Sequence, residues 1–200
     1  MALILYGSPR SRAIRVLWML EELDLRFEHR PVAWNDPLLK SADFLRLNPV
    51  GAIPVLVDDD FALPECLAIN LYLAKQYGRG SGLYPSDVRA EAEVWRWTLW
   101  AQADLEPWLQ RDAPLANSEE FRSEVRYRVR RALDVLDQAL QGRRFLVGDS
   151  FTVADLNVAS VLSPSRTQDL DLSSWSRLDG WLKSCRDRPA ALRARLQLTE

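Results

Sequence analysis

The sequence predicts an α/β domain followed by an all-helical bundle. The first 78 residues alternate between strand-like apolar runs and helix-like periodic segments. Residues 78–85 then contain three glycines and one proline, a composition typical of a linker. No convincing strand pattern follows that stretch. We therefore place the first domain at residues 1–78, the linker at 79–86 and the helical domain at 87–200.

The N-terminal segment predicts a parallel pair of strands joined by a helix. Leu3–Tyr6 is a short apolar strand, and residues 11–23 show the periodicity of a helix with one apolar face. Residues 27–32 predict a second strand, which ends at proline and asparagine breakers. A strand, helix and strand in this order favour a right-handed crossover.

The next segment predicts a short helix and then a hairpin. Residues 37–47 favour the short helix, and Ile53-Pro54 opens an apolar run. Proline cannot donate to a strand ladder, so it belongs at the first residue of a strand and leaves the backbone of Ile53 free to pair elsewhere. Turn residues 58–60 and a second apolar run complete the hairpin. With a helix at residues 65–77, the order is βαβ-α-ββα, a thioredoxin-like arrangement.

Beyond the linker we predict only helices. Residues 88–109 and 118–140 carry long helical patterns, and the second begins with a capping serine and two acids. Thr152 and Asp155 have the spacing of a capping box, for which we expect a structural role. Trp181 marks another helix and Pro189 a short final one.

Composition argues against several classes of protein. The net charge of −2 is spread evenly over 200 residues, so neither domain has the basic surface that nucleic-acid binding needs. His29 is the only histidine, which argues against histidine triads and metal sites. Cys66 and Cys185 suit a reducing cytoplasm. No apolar run reaches the roughly 18 residues of a membrane span, and the N-terminus has no secretory pattern. We expect a cytoplasmic protein with no membrane, nucleic-acid or metal partner.

Three segments carry a family resemblance. They are Asn48–Pro54 followed by a hairpin and Glu65-Cys66, the opening Leu5–Val16, and the late Gly148–Asp155. Together they resemble the cytosolic glutathione S-transferases, especially bacterial serine-type members, over almost all of the chain. The resemblance implies glutathione as co-substrate, a small hydrophobic electrophile as second substrate, a role in detoxification, a homodimer and a cis Ile53-Pro54 bond.

The resemblance also implies a hydroxyl that stabilises the glutathione thiolate. Ser11, at the start of the first helix, matches the serine-type spacing best, and Ser8 and Tyr6 are alternates. A helix N-terminus and an O–H donor both lower the pKa of a thiol. Ser11 is equally well explained as a helix cap.

Six residues are expected to bind glutathione: Ile53, Pro54, Glu65, Cys66, Arg12 and Lys40. Glu65 suits the ammonium of the γ-glutamyl group, although an acid in a first helical turn is favourable without a ligand. Cys66 departs from the family's serine, and a thiol is the weaker donor. Ala52 stands where some relatives have a lysine, so Arg12 or Lys40 is expected to bind the glycyl carboxylate.

Three tryptophans are candidates for an apolar co-substrate pocket. Trp97, Trp100 and Trp108 share a helical face, where aromatic residues are usually core. The resemblance implies that the second domain lines this pocket. The leading function is therefore a glutathione transferase. The alternatives are a glutathione-dependent disulfide reductase and a non-catalytic binding or stress protein on the same scaffold.

Overall fold

The computed structural model describes residues 2–109, 118–163 and 170–198. The chain forms two compact units, Met1–Tyr84 with Asp187–Glu200 and Pro85–Arg186. The first boundary falls inside the stretch that we predicted to be a linker. The second differs from our expectation, because we assigned the whole of residues 87–200 to the helical domain.

A four-stranded mixed sheet forms the centre of the first unit. Its strands are arranged in the order β2-β1-β3-β4, with β1 parallel to β2 and the other two pairs antiparallel. The predicted parallel pair and hairpin are thus confirmed. The strands are β1 (Leu3–Tyr6), β2 (Glu28–Arg30), β3 (Val55–Asp58) and β4 (Phe61–Pro64).

Eight α-helices lie in the described part of the chain. A 3-10 turn, Pro37–Lys40, precedes the second of them. None of the described helices is long and apolar enough to cross a membrane. The helices are α1 (Ala13–Glu22), α2 (Ala42–Leu47), α3 (Cys66–Tyr77), α4 (Val88–Trp100), α5 (Glu119–Ala139), α6 (Val153–Val161), α7 (Ser176–Arg186) and α8 (Pro189–Leu196).

The last helix belongs to the first unit because it is bonded to α1. Arg188 donates to both carboxylate oxygens of Glu22, at 2.6 and 2.7 Å, and Arg193 donates to Glu21 at 2.6 Å. The indole of Trp18 donates to Glu22 as well, at 2.9 Å. These bonds hold the C-terminal end of α1, the helix whose N-terminal end carries the predicted serine.

The regular elements in the described part of the second unit are all helices, as predicted. The long helix expected at residues 88–109 is α-helical only to Trp100, and then continues as a π-helical turn, Ala101–Leu105, and a 3-10 turn, Glu106–Leu109. The capping box at Thr152 is present. Buried Asp155 also accepts from the backbone N–H of Leu146 and the indole of Trp181, both at 2.9 Å. Asp155 therefore links three segments, and its role is structural.

Candidate functional site

The candidate site lies where β1 ends and β3 begins. These strands are antiparallel neighbours, so the turn after β1 lies beside the loop that enters β3. A Cβ added at Gly7 would lie 2.8 Å from the Cβ of Ala13 and 3.5 Å from the Cβ of Ile53. Gly7 also has a φ of +141°, which side chains rarely adopt. A glycine is required here because the start of α1 and the Ile53 loop approach the strand end so closely.

The loop before β3 is shaped by Asn48, the first residue of the Asn48–Pro54 segment, to which the sequence alone assigned no separate role. The buried amide of Asn48 donates to the carbonyl of Ala52 at 2.8 Å and accepts from the N–H of Val50 at 3.1 Å. The Ile53-Pro54 bond is cis, which confirms that prediction. The backbone of Ile53 makes no hydrogen bond to any described residue. A free N–H and C=O are therefore available at this strand edge.

The second side of the site is the start of α3. β4 is the neighbour of β3, and Val55 pairs with Pro64, so Glu65 and Cys66 follow directly beside the entry to β3. Glu65 is exposed and occupies the N-cap position with a φ of +73°. Its carboxylate has no bonding partner among the described residues. Such a backbone costs on the order of 1–3 kcal/mol in a non-glycine residue and is most often found at functional sites.

Cys66 is the first residue of α3, and its side chain is only 2% exposed. Its Sγ accepts from the Nη1 of Arg15 at 3.6 Å. Arg15 is 3% exposed although it carries a charge. The sequence analysis did not assign Arg15 a role. The available signal was an arginine set among apolar residues of α1.

The two candidate serines lie in the turn between β1 and α1. The Ser11 hydroxyl donates to the carbonyl of Ser8 at 2.7 Å and accepts from the N–H of Ala13 at 3.1 Å. It thus makes a cap-like bond, although Arg12 occupies the N-cap position. The Ser8 hydroxyl accepts from the N–H of Arg10 at 3.3 Å and donates to none of the described residues. Both hydroxyls lie at the positive end of α1.

The side chain of Tyr6 packs away from the two serines, on the side of the sheet that α2 covers. Its ring packs with the cluster that contains Phe44, and the two rings meet edge to face with centroids 5.8 Å apart. Its hydroxyl accepts from Arg30 on the neighbouring strand. The hydroxyl of Tyr6 is therefore already bonded on the side of the sheet that α2 covers.

The two candidate cations flank the site loops. Lys40 ends the 3-10 turn and is exposed, with no bonding partner among the described residues. This turn lies against the Ile53 loop, since a Cβ at Gly51 would lie 2.8 Å from the carbonyl oxygen of Leu39. Arg12 follows Ser11 directly and is half-buried. No group of side chains in the described ranges could hold a metal ion.

The three tryptophans occupy different environments in the second unit. Trp97 is 2% exposed, and its indole N–H finds no acceptor among the described residues. Trp100 meets it edge to face with ring centroids 5.4 Å apart. Trp108 is half-buried, follows the π-helical turn and lies under the guanidinium of Arg128, 5.3 Å from its ring centroid. Trp97 is a core residue, and the other two are partly accessible.

Comparison with known proteins agrees with this arrangement. Residues 1–75 match the glutathione S-transferase N-terminal domain, and residues 97–189 match the C-terminal domain. A glutathione S-transferase of Xanthomonas campestris is 36% identical over 189 residues, which cover 90% of each chain. Glutathione S-transferase 3 of Zea mays is 38% identical over 169 residues, or 78% of this chain and 74% of the relative.

Solved structures show the same fold. Poplar glutathione transferase F1 superposes with a TM-score of 0.87 at 24% identity, covering 100% of this chain and 99% of the poplar chain. Ure2p in complex with glutathione gives a TM-score of 0.85 at 21% identity, with 96% and 92% covered. The family matches span most of the chain and both of its units. The protein therefore belongs to the glutathione S-transferase family of enzymes.

Proposed function

We propose that this enzyme binds glutathione at the junction of β1, β3 and α3 and activates its thiol for attack on small hydrophobic electrophiles. The observation that carries the proposal is the meeting of three elements at one end of the sheet. They are the free backbone of Ile53, the first turn of α1 and the first turn of α3. An extended peptide with a carboxylate at one end and a thiol in the middle complements all three.

Each part of glutathione is assigned to a different element. The backbone of Ile53 pairs with the cysteinyl residue, because it is extended and free. The first N–H groups of α3 bind the γ-glutamyl carboxylate, and the free carboxylate of Glu65 binds the ammonium group. Lys40 or Arg12 binds the glycyl carboxylate as a point charge or fork.

The thiol is placed at the start of α1 and is activated there. A serine hydroxyl donates to the thiolate, and the positive end of α1 lowers the pKa of the thiol further. We assign this donor as Ser11, with Ser8 as the alternate. Tyr6 is less suitable since its ring packs with the Phe44 cluster, on the side of the sheet that α2 covers. The thiolate then attacks the electrophilic carbon, forms a carbon–sulfur bond and expels the leaving group with its bonding electrons.

The helical unit supplies the apolar surface for the electrophile. We assign this role to Trp100 and Trp108, which are partly accessible, with Trp97 packed behind Trp100. Flat aromatic side chains bind apolar substrates without requiring a precise polar match. The assignment limits the substrate to a small hydrophobic molecule and does not name it.

We further propose that the enzyme is a cytoplasmic homodimer, in which the first domain of one chain meets the helical domain of the other. Val88, Trp95 and Leu99 are exposed and lie on one side of α4 at spacings of seven and four residues. Exposed apolar stripes of this kind are typical of interfaces between proteins. Light scattering at micromolar concentration should give twice the chain mass, and a monomer mass would contradict this assignment.

Two assays run side by side test the function. Conjugation of a chlorodinitrobenzene reports attack on carbon, and reduction of hydroxyethyl disulfide reports attack on sulfur. We expect the first to dominate. Disulfide reduction alone would favour the reductase alternative, in which the same thiolate attacks sulfur.

Binding is tested separately by calorimetric titration with glutathione. Glu65→Gln should weaken binding several-fold, whereas Glu93→Gln should not, because Glu93 pairs with Arg96 on α4. Absence of glutathione binding to the unaltered chain would leave the non-catalytic scaffold protein as the better description.

A further inference from the structure

His29, the only histidine of the chain, is hydrogen-bonded to the turn that carries the candidate serines. It lies in β2, where it pairs with Leu5 of β1, and its side chain is half-buried. Its Nε2 lies 2.8 Å from the carbonyl oxygen of Gly7, the residue that follows β1. A carbonyl oxygen can only accept a hydrogen bond, so Nε2 carries the proton and donates it. A side chain of one strand therefore holds the main chain at the end of the neighbouring strand.

This bond fixes one peptide group from both sides. The peptide consists of the carbonyl of Gly7 and the N–H of Ser8. The N–H of Ser8 donates to the carbonyl of Val32 at 2.8 Å, and the N–H of Gly7 donates to that of Arg30 at 3.0 Å. Both polar atoms of the Gly7–Ser8 peptide are thus bonded to β2 or to the residues that follow it, which restricts the orientation of the peptide.

The conformation of Gly7 explains why a bond from outside the turn is useful. Its φ of +141° is one that residues with a side chain rarely adopt, so the position requires glycine. Glycine is also the residue with the least restricted backbone, so its own covalent structure does not select this conformation. The planar imidazole has only two side-chain torsions and lies on a paired strand. It is therefore a rigid support for a flexible link.

The same peptide determines where the hydroxyl of Ser11 lies. The carbonyl of Ser8 accepts from the backbone N–H of Ser11 at 2.9 Å and from its hydroxyl at 2.7 Å. Ser8 thus contributes its N–H to the held peptide and its carbonyl to Ser11. A rotation of the Gly7–Ser8 peptide would move the acceptor of both Ser11 bonds.

We propose that His29 is a positioning residue for the serine that activates the glutathione thiol. Its Nε2–H fixes the Gly7–Ser8 peptide, and the carbonyl of Ser8 then places the hydroxyl of Ser11 beside the thiolate. His29 acts through the turn and does not itself contact the thiol. The inference deepens the proposed function and rests on it, because it assumes that the thiol binds at the start of α1.

Variants that keep or remove the donor separate positioning from general stabilisation. In His29→Gln the side-chain amide N–H takes the place of Nε2–H, whereas the shorter amide of His29→Asn corresponds to Nδ1 and does not reach Gly7. His29→Leu removes the donor altogether. Asp58→Asn is the matched control, because Asp58 accepts hydrogen bonds from two phenols and pairs with Leu3 at the opposite end of the same sheet.

Three measurements are made on each variant. Ultraviolet absorbance against pH gives the pKa of the bound glutathione thiol. Calorimetric titration with S-methylglutathione, which has no ionisable thiol, measures binding of the rest of the tripeptide. Thermal unfolding measures stability separately. The His29→Leu change is also made in a Ser11→Ala background.

We expect His29→Leu and His29→Asn to raise the pKa of the bound thiol by about half a unit to one unit, which lowers turnover below that pKa about three- to tenfold. The affinity for S-methylglutathione should change less than about twofold, because the contacts of the tripeptide are untouched. His29→Gln should restore the wild-type pKa. Asp58→Asn should lower stability and leave the pKa of the thiol unchanged. In the Ser11→Ala background His29→Leu should cause no further shift, because the hydroxyl that it positions is gone.

A thiol pKa that His29→Leu and His29→Asn leave unchanged would overturn the inference. So would a shift of equal size with and without Ser11, or a failure of His29→Gln to restore the pKa. If His29→Leu does not fold, His29→Asn provides the same comparison. A wild type that does not bind S-methylglutathione, or whose bound thiol has the pKa of free glutathione, would instead overturn the proposed function.

Discussion

Replacing Ser11 by alanine removes one hydroxyl from the turn between β1 and α1, and we expect turnover to fall about tenfold. The hydroxyl is proposed to donate to the thiolate of bound glutathione. Its loss should raise the pKa of that thiol and reduce the fraction of nucleophile at neutral pH. The dissociation constant of glutathione should change little, because the other contacts of the tripeptide are untouched.

The magnitude follows from the bond that Ser11 already makes. A hydrogen bond to a charged group contributes about 1.5–3 kcal/mol. Before it donates to a thiolate, Ser11 must give up its 2.7 Å bond to the carbonyl of Ser8, which is worth about 1 kcal/mol. The net gain is about 1–2 kcal/mol, which corresponds to roughly one pKa unit of the thiol. Below the pKa of the thiol, one unit changes the thiolate fraction about tenfold.

The assay measures the thiol directly as well as the rate. Ultraviolet absorbance of the thiolate in the complex, titrated against pH, should show a pKa about one unit higher in Ser11→Ala. The pH profile of conjugation should move by the same amount. Stability should fall by about 1 kcal/mol, because the N–H of Ala13 loses its acceptor.

Ser8→Ala is the matched control, and it also tests Ser8 as the alternative donor to the thiolate. The Ser8 hydroxyl donates to no described residue, so it could bind a thiolate without breaking an existing bond. As the donor it would give the larger shift, about 1–2 pKa units. A greater effect in Ser8→Ala would refute our choice of hydroxyl. No shift in either variant would refute activation by a serine.

Three further changes test other parts of the structure. Cys66→Ser should bind glutathione roughly five-fold more tightly in calorimetric titration, because a hydroxyl is a better hydrogen-bond donor to the ligand than a thiol. The expected gain in binding free energy is about 1 kcal/mol. Unchanged or weaker binding would show that this side chain does not act on the ligand. The pKa of Tyr72 is raised to about 12, first by burial and then by the hydrogen bond to Asp58. The neutral phenol of Tyr72 therefore stabilises the fold fully below pH about 10, and this contribution is lost as pH rises through about 12. In Asp58→Asn, ultraviolet titration should find that phenol ionising nearer to 10, and an unchanged value would be inconsistent with the carboxylate as a cause. Asp155→Ala should cost at least about 3 kcal/mol in urea unfolding, because four buried donors lose their acceptor. A loss below about 1 kcal/mol would contradict its structural role.

Features that depend on neighbouring residues could be predicted from the sequence. The hairpin, the start of α3 within one residue and the capping box at Thr152 all follow from short patterns of proline, turn and capping residues. The long helix at residues 88–109 was predicted only in outline. Apolar periodicity cannot distinguish an α-helix from a π-helical turn when both continue in the same direction.

Features that depend on distant residues could not be predicted in this way. The last helix joins the first unit through Arg188 and Glu22, which are 166 residues apart in the chain. The contact of Arg15 could not be predicted for the same reason, since Cys66, which it contacts, is 51 residues away in the chain. A charged residue among apolar ones indicates burial with a partner, but the sequence alone does not name that partner.

Glu65 shows why the site itself lies between these two cases. Its position after Pro64 and before Cys66 predicted an acid at a helix start, which any helix would favour. The structure adds a φ of +73° and a carboxylate with no partner among the described residues. A helix cap needs neither feature, and the backbone conformation costs free energy in the unliganded protein. Local helix preference therefore accounts for an acid at this position. The strained backbone and the unpaired carboxylate of Glu65 are explained by a ligand that binds there.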